Sequence, residues 1–476
     1  RELSRPDHRA PGQPLISLPL AHALVSRGDL PIPVWLFAWG AGVVLVVSFF
    51  ALASAWRKPR FEDAPGRPAA AWLSAPANST SVQFLSGLIG VLLLAVVLYA
   101  GIEGTEAADR NFSLTFVFVT VWLGFPVLSV VFGNVFAAFS PWRAIGRAYG
   151  WLAQRLAPGA VRHVEYPEKV GRWPAAVGLV AFVWLEIIYG ATGAAVVLSP
   201  EIVAKATVIY SVYTLVMMGV FGVEKWSSRG EFFSVYFGMF ASMSSFRKRE
   251  GKLERRRWLS GTTDWANVPG SLALVVSAIG VTTFDGAQEG ALKTPIEWTQ
   301  ERIGDLGFAA TVSVRAGDTI FLLITIGIVA LIYLLGVKGM TRVDAAPPFK
   351  VLRSRFAHTL IPIALAYLVA HYFSLFVFQE QAQFTFLLSD PLGDGSNLFG
   401  TATSGIDYTL IGPELVWYVQ VGALIAGHVT ALVLAHDRAL LIWPDYRLAT
   451  RSQYWMLAVM LCFTSLGLFL LSFANQ

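Results

Sequence analysis

The sequence predicts an all-α membrane protein, a polytopic bundle of about ten transmembrane helices. The 476 residues are 55% hydrophobic and only 14% charged, and their mean hydropathy is +0.58. A soluble globular domain carries about 25% charged residues, so this chain lacks the polar surface that a soluble fold needs. Its apolar residues also form long runs rather than the short alternating segments of an outer-membrane barrel.

Ten runs approach the roughly 20 apolar residues that a spanning helix needs. Because lipid offers no hydrogen-bond partners to the backbone, runs of this length are predicted to be helices. They form one transmembrane domain over 33–475, preceded by an outer segment, 1–32. The sixth run is the weakest, since it is short and rich in Ser and Thr. The predicted spans are 33–56, 82–102, 113–139, 173–198, 202–223, 268–284, 318–338, 356–379, 413–436 and 453–474.

Lys and Arg residues divide the connecting loops into two sets. The loops after the first, third, fifth, seventh and ninth spans are rich in Lys and Arg, whereas the others carry few or none. Cationic loops stay on the cytoplasmic side of a bacterial inner membrane, so both termini are predicted to lie on the outer face. The pI near 9.2 comes from these loops. The expected partner is therefore the lipid bilayer and not a nucleic acid.

Two segments are neither spans nor short loops. Residues 226–246 are rich in aromatic residues and have cations at both ends, which predicts an interfacial or re-entrant helix on the cytoplasmic side. The alternative is an ordinary helix packed against its neighbours. Residues 380–412 form a long outer loop of the kind that often serves as a lid or docking surface. Its piece 390–397 lacks the spacing of an EF-hand, so it is expected to be a solvated loop.

Ionisable residues inside the predicted spans are the candidate functional residues, because charge is costly in hydrocarbon. Glu186, His371 and His428 lie on the fourth, eighth and ninth spans, each within roughly 5 Å of the midplane at a rise of about 1.5 Å per residue. Asp285 lies at the outer end of the sixth span. Two imidazoles and a carboxylate at one depth suit a divalent transition metal, and two histidines also suit haem.

Two alternatives to a metal or haem centre stay open. The same groups would serve as a proton or ion relay, or the histidines would only bond to the backbone of neighbouring helices. Three further residues are predicted to be polar groups within the membrane: Tyr189, Tyr367 and Glu414. Pro362 is expected to kink the eighth span, because it lacks a backbone N–H.

Four stretches resemble a group of actinobacterial multi-pass membrane proteins named fenitrothion hydrolase. They are LVSRGDLPIPVWLF (24–37), SRGEFFSVYFG (228–238), TTFDG (282–286) and YVQVGALIAGHVTALVLAHDRAL (418–440). The resemblance runs from about residue 22 to about residue 470. It implies a polytopic membrane protein and a hydrolase acting on phosphotriesters, with Glu186, His371, His428 and Asp285 as the residues available to a metal-dependent reaction.

The residues themselves predict an inner-membrane protein with a polar His/Glu site, acting in metal handling, redox chemistry or transport, alone or in a larger complex. A membrane-bound, metal-dependent phosphotriester (organophosphate) hydrolase is one alternative, and a structural subunit without chemistry is another. The chain contains no nucleotide-binding GxGxxG or GxxxxGK[ST] motif and no HExxH or GxSxG motif. NTP-driven transport is therefore not expected, and no motif decides whether the protein is an enzyme.

Overall fold

The computed structural model describes residues 34–61, 66–159, 162–190 and 198–473. The predicted outer segment 1–32 lies outside the described residues. The helices are α1 Val34–Ala55, α2 Ala71–Asn78, α3 Thr80–Glu103, α4 Phe112–Thr115, α5 Phe125–Phe132, α6 Phe136–Phe139, α7 Pro141–Leu156, α8 Trp173–Val183, α9 Pro200–Phe221, α10 Val223–Arg229, α11 Phe232–Ala241, α12 Thr262–Ala266, α13 Ser271–Gln288, α14 Lys293–Asp305, α15 Ala310–Met340, α16 Phe349–Arg355, α17 Ile361–Phe384, α18 Phe386–Ser389, α19 Pro413–Ile442 and α20 Tyr446–Phe473.

Three irregular helical segments join these elements. The π-helix Phe116–Gly124 connects α4 to α5, the π-helix Trp184–Tyr189 continues α8, and the 3₁₀ helix Ala357–Leu360 leads into α17. One antiparallel sheet of strand order β1-β3-β2 completes the described fold. Its strands are β1 Arg67–Pro68, β2 Phe246–Arg249 and β3 Lys252–Arg255.

Within the described residues, eight helical segments are long and apolar enough to cross a membrane. Three further apolar helices are shorter there: Trp39–Ala55, Trp173–Tyr189 and Phe232–Ala241. The protein is therefore a multi-pass, all-α membrane protein, as its composition predicts. The eight segments are Thr80–Glu103, Phe112–Phe132, Pro200–Phe221, Ser271–Gln288, Ala310–Met340, Phe349–Ser389, Pro413–Ile442 and Tyr446–Leu470.

The sixth predicted span, weakest in hydropathy, becomes the most enclosed of the eight candidate spans. In α13, 78% of the apolar window is buried by protein, compared with 22% in α9. A helix surrounded by other helices does not face lipid, so it accommodates Ser and Thr at little cost. Thr282 and Thr283 each donate to the carbonyl four residues earlier, at 3.2 and 2.8 Å. Low hydropathy here indicates a central position rather than a poor helix.

Two predicted boundaries are wrong. The third span, 113–139, ends at Phe132, because Gly133 adopts a φ of +87° and breaks the helix. The outer loop predicted at 380–412 begins later, since α17 and α18 continue the helical structure to Ser389. Pro362 lies in the first turn of α17, directly after the 3₁₀ helix Ala357–Leu360, so the regular helix is interrupted next to the proline.

Residues 226–246 form parts of two helices rather than one, and their position at the cytoplasmic membrane surface stays a prediction. They contain the end of α10 and all of α11, separated by Gly230 and Glu231. Glu231 is fully buried and caps α11, accepting hydrogen bonds from the backbone N–H groups of Phe233 at 2.9 Å and Ser234 at 2.8 Å. Nine of the ten residues of α11 are buried, in packing against α5 and α8. The alternative of a helix packed against its neighbours describes this segment.

The basic loops meet at one end of the bundle, which we call the basic end. There β1, from the loop after the first span, pairs with β3, from the loop after the fifth. Arg257 donates to the backbone carbonyl of Arg60 at 2.7 Å. Asp437, at the end of α19, accepts from the backbone N–H groups of Arg60 and Phe61. Loops that the charge pattern assigns to one side therefore contact one another.

At the opposite end, two of the cation-poor loops pack together. The N–H of Thr105 donates to the carbonyl of Leu392 at 2.7 Å. Within 390–397, the Asp390 carboxylate accepts from the N–H groups of Asp394 and Gly395, each at 3.0 Å. The carboxylate is thus satisfied by donors of its own turn, which agrees with the predicted solvated loop.

Candidate functional site

The structure brings two of the predicted site residues into direct contact. Nε2 of His371, on α17, lies 2.9 Å from Oδ2 of Asp285, on α13. The hydroxyl of Tyr372 donates to the same oxygen at 2.6 Å, and Gln288 donates to Oδ1 at 3.0 Å. We call these four residues the Asp285 cluster. It joins α13, the most enclosed of the eight candidate spans, to α17.

Helix geometry explains how two helices supply four groups. Asp285 and Gln288 are three residues apart and share one side of α13. His371 and Tyr372 are consecutive, and their rings lie 4.5 Å apart at 74°, so both reach the carboxylate from different directions. Gly286 permits this close approach, because a Cβ there would lie 3.3 Å from Nδ1 of His371.

The cluster holds an ionisable pair away from water. Asp285 is 2% exposed and the His371 side chain 16% exposed. An ionised carboxylate only accepts hydrogen bonds, so Nε2 of His371 carries the hydrogen in that state. Three donors to one carboxylate offset the cost of its burial. A carboxylate paired with an imidazole can hold a proton on either partner, so the cluster has groups that can bind one.

A small cavity of about 30 Å³ adjoins the imidazole. Its wall includes Gly286, Tyr367, His371 and Gly467. This volume corresponds to about one water molecule of the liquid. Nδ1 is the ring nitrogen of His371 that lies toward Gly286. The cavity therefore has room for water beside the imidazole.

His428 does not join the cluster. It is fully buried, and its Nδ1 donates to the carbonyl of Leu424 in the same helix at 2.7 Å. Tyr367 lies between the two histidines along the bundle: it lines the cavity beside His371, and its ring centroid is 6.1 Å from that of His428. The Tyr367 hydroxyl donates to the carbonyl of Phe463 at 2.6 Å. His428 thus bonds to the backbone, but within its own helix and not to a neighbouring helix as the alternative predicts.

Glu186 and Tyr189 lie on the π-helix that continues α8. Glu186 interacts electrostatically with Tyr372, as Asp285 does, so it belongs to the surroundings of the Asp285 cluster. Tyr189 packs under Arg315, whose guanidinium lies 4.1 Å from the ring centroid and donates to the Tyr189 carbonyl at 3.3 Å. π-Helical segments occur frequently at functional sites, which is consistent with this placement.

Glu414 is exposed in the first turn of α19, where a helix dipole favours a carboxylate, and its place within the membrane stays a prediction. The metal centre of Glu186, His371 and His428, with Asp285 as a further ligand, is not formed. Across the described ranges, no group of three or more His, Cys, Asp or Glu residues is arranged to hold a metal ion. His371 and His428 instead have the separate partners given above.

The sequence does not single out two residues of the Asp285 cluster. Tyr372 and Gln288 are neutral, and only their positions next to His371 and three residues after Asp285 connect them with the predicted site.

Glu380 lies outside the cluster. It is predicted to belong to the outer loop, but it lies on α17 and accepts from the Thr120 hydroxyl at 3.0 Å. Extending the eighth span by one helical turn would have placed this carboxylate inside the bundle.

The fold and the cluster define a class: a multi-pass helical membrane protein with a buried carboxylate, imidazole and phenol in mutual hydrogen bonds. No protein-family model, no curated protein and no solved structure matches the chain. The chemistry of the cluster therefore carries the functional conclusion.

Proposed function

We propose that this protein is a proton-coupled transporter of a bacterial inner membrane, in which Asp285 and His371 bind the coupling proton. The observation that carries the proposal is the 2.9 Å contact between Nε2 of His371 and Oδ2 of Asp285 inside the bundle. Ionisable pairs within membrane helices mark ion and proton pathways, because they are too costly to retain without a use.

The surroundings of the pair favour proton exchange. Tyr372 donates to Asp285, and its hydroxyl also interacts with Glu186 and with Tyr236 of α11. These neighbours are acidic or neutral, so positive charge on His371 is opposed by no cation among them. The adjoining cavity has room for water beside the imidazole. Water at that place would connect the pair to a proton donor or acceptor.

Infrared difference spectroscopy of the purified full chain tests whether the pair binds a proton. When the buffer is changed from acidic to alkaline, the wild-type protein should show carboxyl and imidazole bands that change together. Asp285→Asn should remove the carboxyl band, and His371→Gln should remove the coupled change. Unaltered difference spectra in both variants would contradict the proposal.

His436→Gln is the matched control, because His436 is also a buried histidine of the bundle. Its Nε2 donates to the carbonyl of Trp56 at 2.9 Å. In liposomes containing a pH-sensitive dye and given a pH gradient, Asp285→Asn should slow proton movement by at least about tenfold. His436→Gln should keep the wild-type rate. Equal loss in the two variants would indicate a general effect of removing buried polar groups.

The orientation of His371 favours a second candidate, hydrolysis of a phosphotriester, which the resemblance to fenitrothion hydrolases also implies. A carboxylate that fixes one imidazole nitrogen leaves the other in position to take a proton from water. The resulting hydroxide oxygen would bond to phosphorus, and the aryloxide would leave and take up a proton. A chromogenic diethyl aryl phosphate, assayed with wild type and His371→Gln, tests this. Equal release of the aryl alcohol by both proteins would exclude it.

We also propose the finer topology: ten spans, both termini outside and the basic end in the cytoplasm. The excess of Lys and Arg at that end supports it. In a Cys462→Ser background, Lys252→Cys and Asp344→Cys should react only with reagents that reach the cytoplasm. Glu106→Cys should react with impermeant reagents added outside. Labelling of 106 and 252 from the same side would refute the topology.

A further inference from the structure

A cavity of about 480 Å³ lies at the basic end, between α2, the end of α5 and the sheet. Apart from Ser245 and Arg255, its lining is apolar. Two lining tryptophans are strongly exposed, Trp72 at 75% and Trp258 at 48%. We call this space the Arg255 cavity. Its size is that of a pocket for a small organic molecule, and an apolar wall with one cation suits an amphipathic anion.

The surface around the Arg255 cavity is strongly cationic. Residues 246–257 contain seven Lys and Arg residues against two Glu residues. One Glu is neutralised, since Glu254 lies 2.9 Å from Arg247. Arg255 itself has no ion pair within the part of the chain that the structure describes. Its charge is therefore available to an anion in the cavity.

Neighbouring basic residues have other roles, which singles out Arg255. Arg256 donates to the backbone carbonyls of Ser244 and Ala241 at 3.0 and 3.1 Å, and burial lowers the pKa of Arg256 to about 10, so it stays charged. Lys248 donates to the carbonyl of Ala77 at the end of α2. Lys248 thus connects the sheet to α2, and Arg256 connects it to the end of α11. The Arg255 guanidinium has no backbone hydrogen-bond partner among the described residues.

The cavity also borders a surface that suits lipid. Val131, at the end of α5, lines the cavity and is 52% exposed. Its neighbours Val127, Leu128 and Phe132 are exposed as well, at 41%, 41% and 61%. An apolar helix face of this kind lies against acyl chains in a bilayer. A soluble phosphate gains nothing from such walls, whereas a phospholipid places its chain along them.

We infer that the Arg255 cavity binds an anionic phospholipid, with the phosphodiester at Arg255 and an acyl chain between the tryptophans and α5. Tryptophan side chains at the headgroup level are typical of the membrane interface. Basic pockets at the cytoplasmic ends of membrane helices attract anionic headgroups, each cation contributing about 1 kcal/mol. The site is separate from the Asp285 cluster, so its test does not depend on the proposed transport.

Native mass spectrometry of the full chain in mild detergent measures this binding directly. Phosphatidylglycerol should bind more tightly than phosphatidylcholine with the same acyl chains. Arg255→Gln should weaken phosphatidylglycerol binding about fivefold, the factor that corresponds to the loss of one cation. Trp258→Ala should weaken both lipids, and inorganic phosphate should not displace them.

Lys252→Gln is the matched control, because it removes the same charge from the same strand outside the cavity. It should leave the dissociation constant of phosphatidylglycerol within about twofold of wild type. Equal effects of Arg255→Gln and Lys252→Gln would overturn the inference, and so would equal binding of the two lipids by the wild-type protein. The comparison of the two lipids needs no variant, so it tests the inference even if a substitution impairs folding.

Discussion

Two equally buried aspartates at opposite ends of the bundle have different kinds of partner. Asp285 and Asp437 are each 2% exposed. Asp285 accepts from three side chains, one of them the imidazole of His371. Asp437 accepts from two backbone N–H groups and from the indole of Trp56 at 3.0 Å. An imidazole changes its charge near neutral pH, whereas amide and indole donors do not.

This difference separates a site from a structural contact. Asp285 can exchange a proton with the imidazole of His371. At Asp437 the donors have fixed protonation, so the carboxylate only holds the segment after α1 against α19. Burial and residue type are the same in both places, and the chemistry of the donors decides the role.

The largest loss in the free energy of unfolding is expected from Asp437→Ala. The substitution leaves two backbone N–H groups and an indole without their acceptor, and hydrogen bonds to a charged group contribute about 1.5–3 kcal/mol each. We expect a loss of roughly 3–5 kcal/mol in the free energy of unfolding, seen as a lower melting temperature in detergent. Asp285→Asn, which keeps an acceptor oxygen, should cost less. A smaller loss for Asp437→Ala than for Asp285→Asn would reverse the comparison.

An intermediate effect is expected from Tyr372→Phe. Removing the 2.6 Å hydrogen bond to Asp285 should cost roughly 1–2 kcal/mol. The phenol donates to the Asp285 carboxylate, so its loss should change the carboxyl band in the infrared difference spectrum. Trp56→Phe, which removes one donor to Asp437, is the control and should leave that band unchanged. An equal change of the band in both variants would show that Tyr372 has no special part.

The smallest effect is expected at Glu224, a surface carboxylate. Partial burial raises its pKa, but hydrogen bonds and charges of Arg143 and Arg147 outweigh burial and hold the pKa below its ordinary value. The side chain is 59% exposed, so solvent screening limits Glu224→Gln to a cost below about 1 kcal/mol.

The sign of the Glu224 effect follows from the lowered pKa. Its contribution is complete above the ordinary pKa of a glutamate and disappears as pH falls through the lowered value. Melting curves of wild type and Glu224→Gln should therefore differ slightly at neutral pH and converge as the pH falls through the lowered pKa. A difference that grows in acid would contradict the ion-pair explanation.

Sequence reasoning found parts of the site but not its arrangement. Asp285 and His371 were both candidates, yet equal depth in the membrane favoured the grouping of Glu186, His371 and His428. Depth follows from counting residues along a span. The direction in which each side chain points depends on the rotation of its helix, at 3.6 residues per turn, and on which helices are neighbours.

The sequence by itself determined the class of protein, the approximate positions of its helices and the division of its loops. Hydropathy and charge are local properties, and the membrane acts on each segment separately. Tertiary structure alone decided that α13 is central, that α11 is enclosed and that Asp285 meets His371 across 86 residues of chain. These outcomes depend on packing among helices that are almost equally apolar, and apolarity does not specify which faces come together.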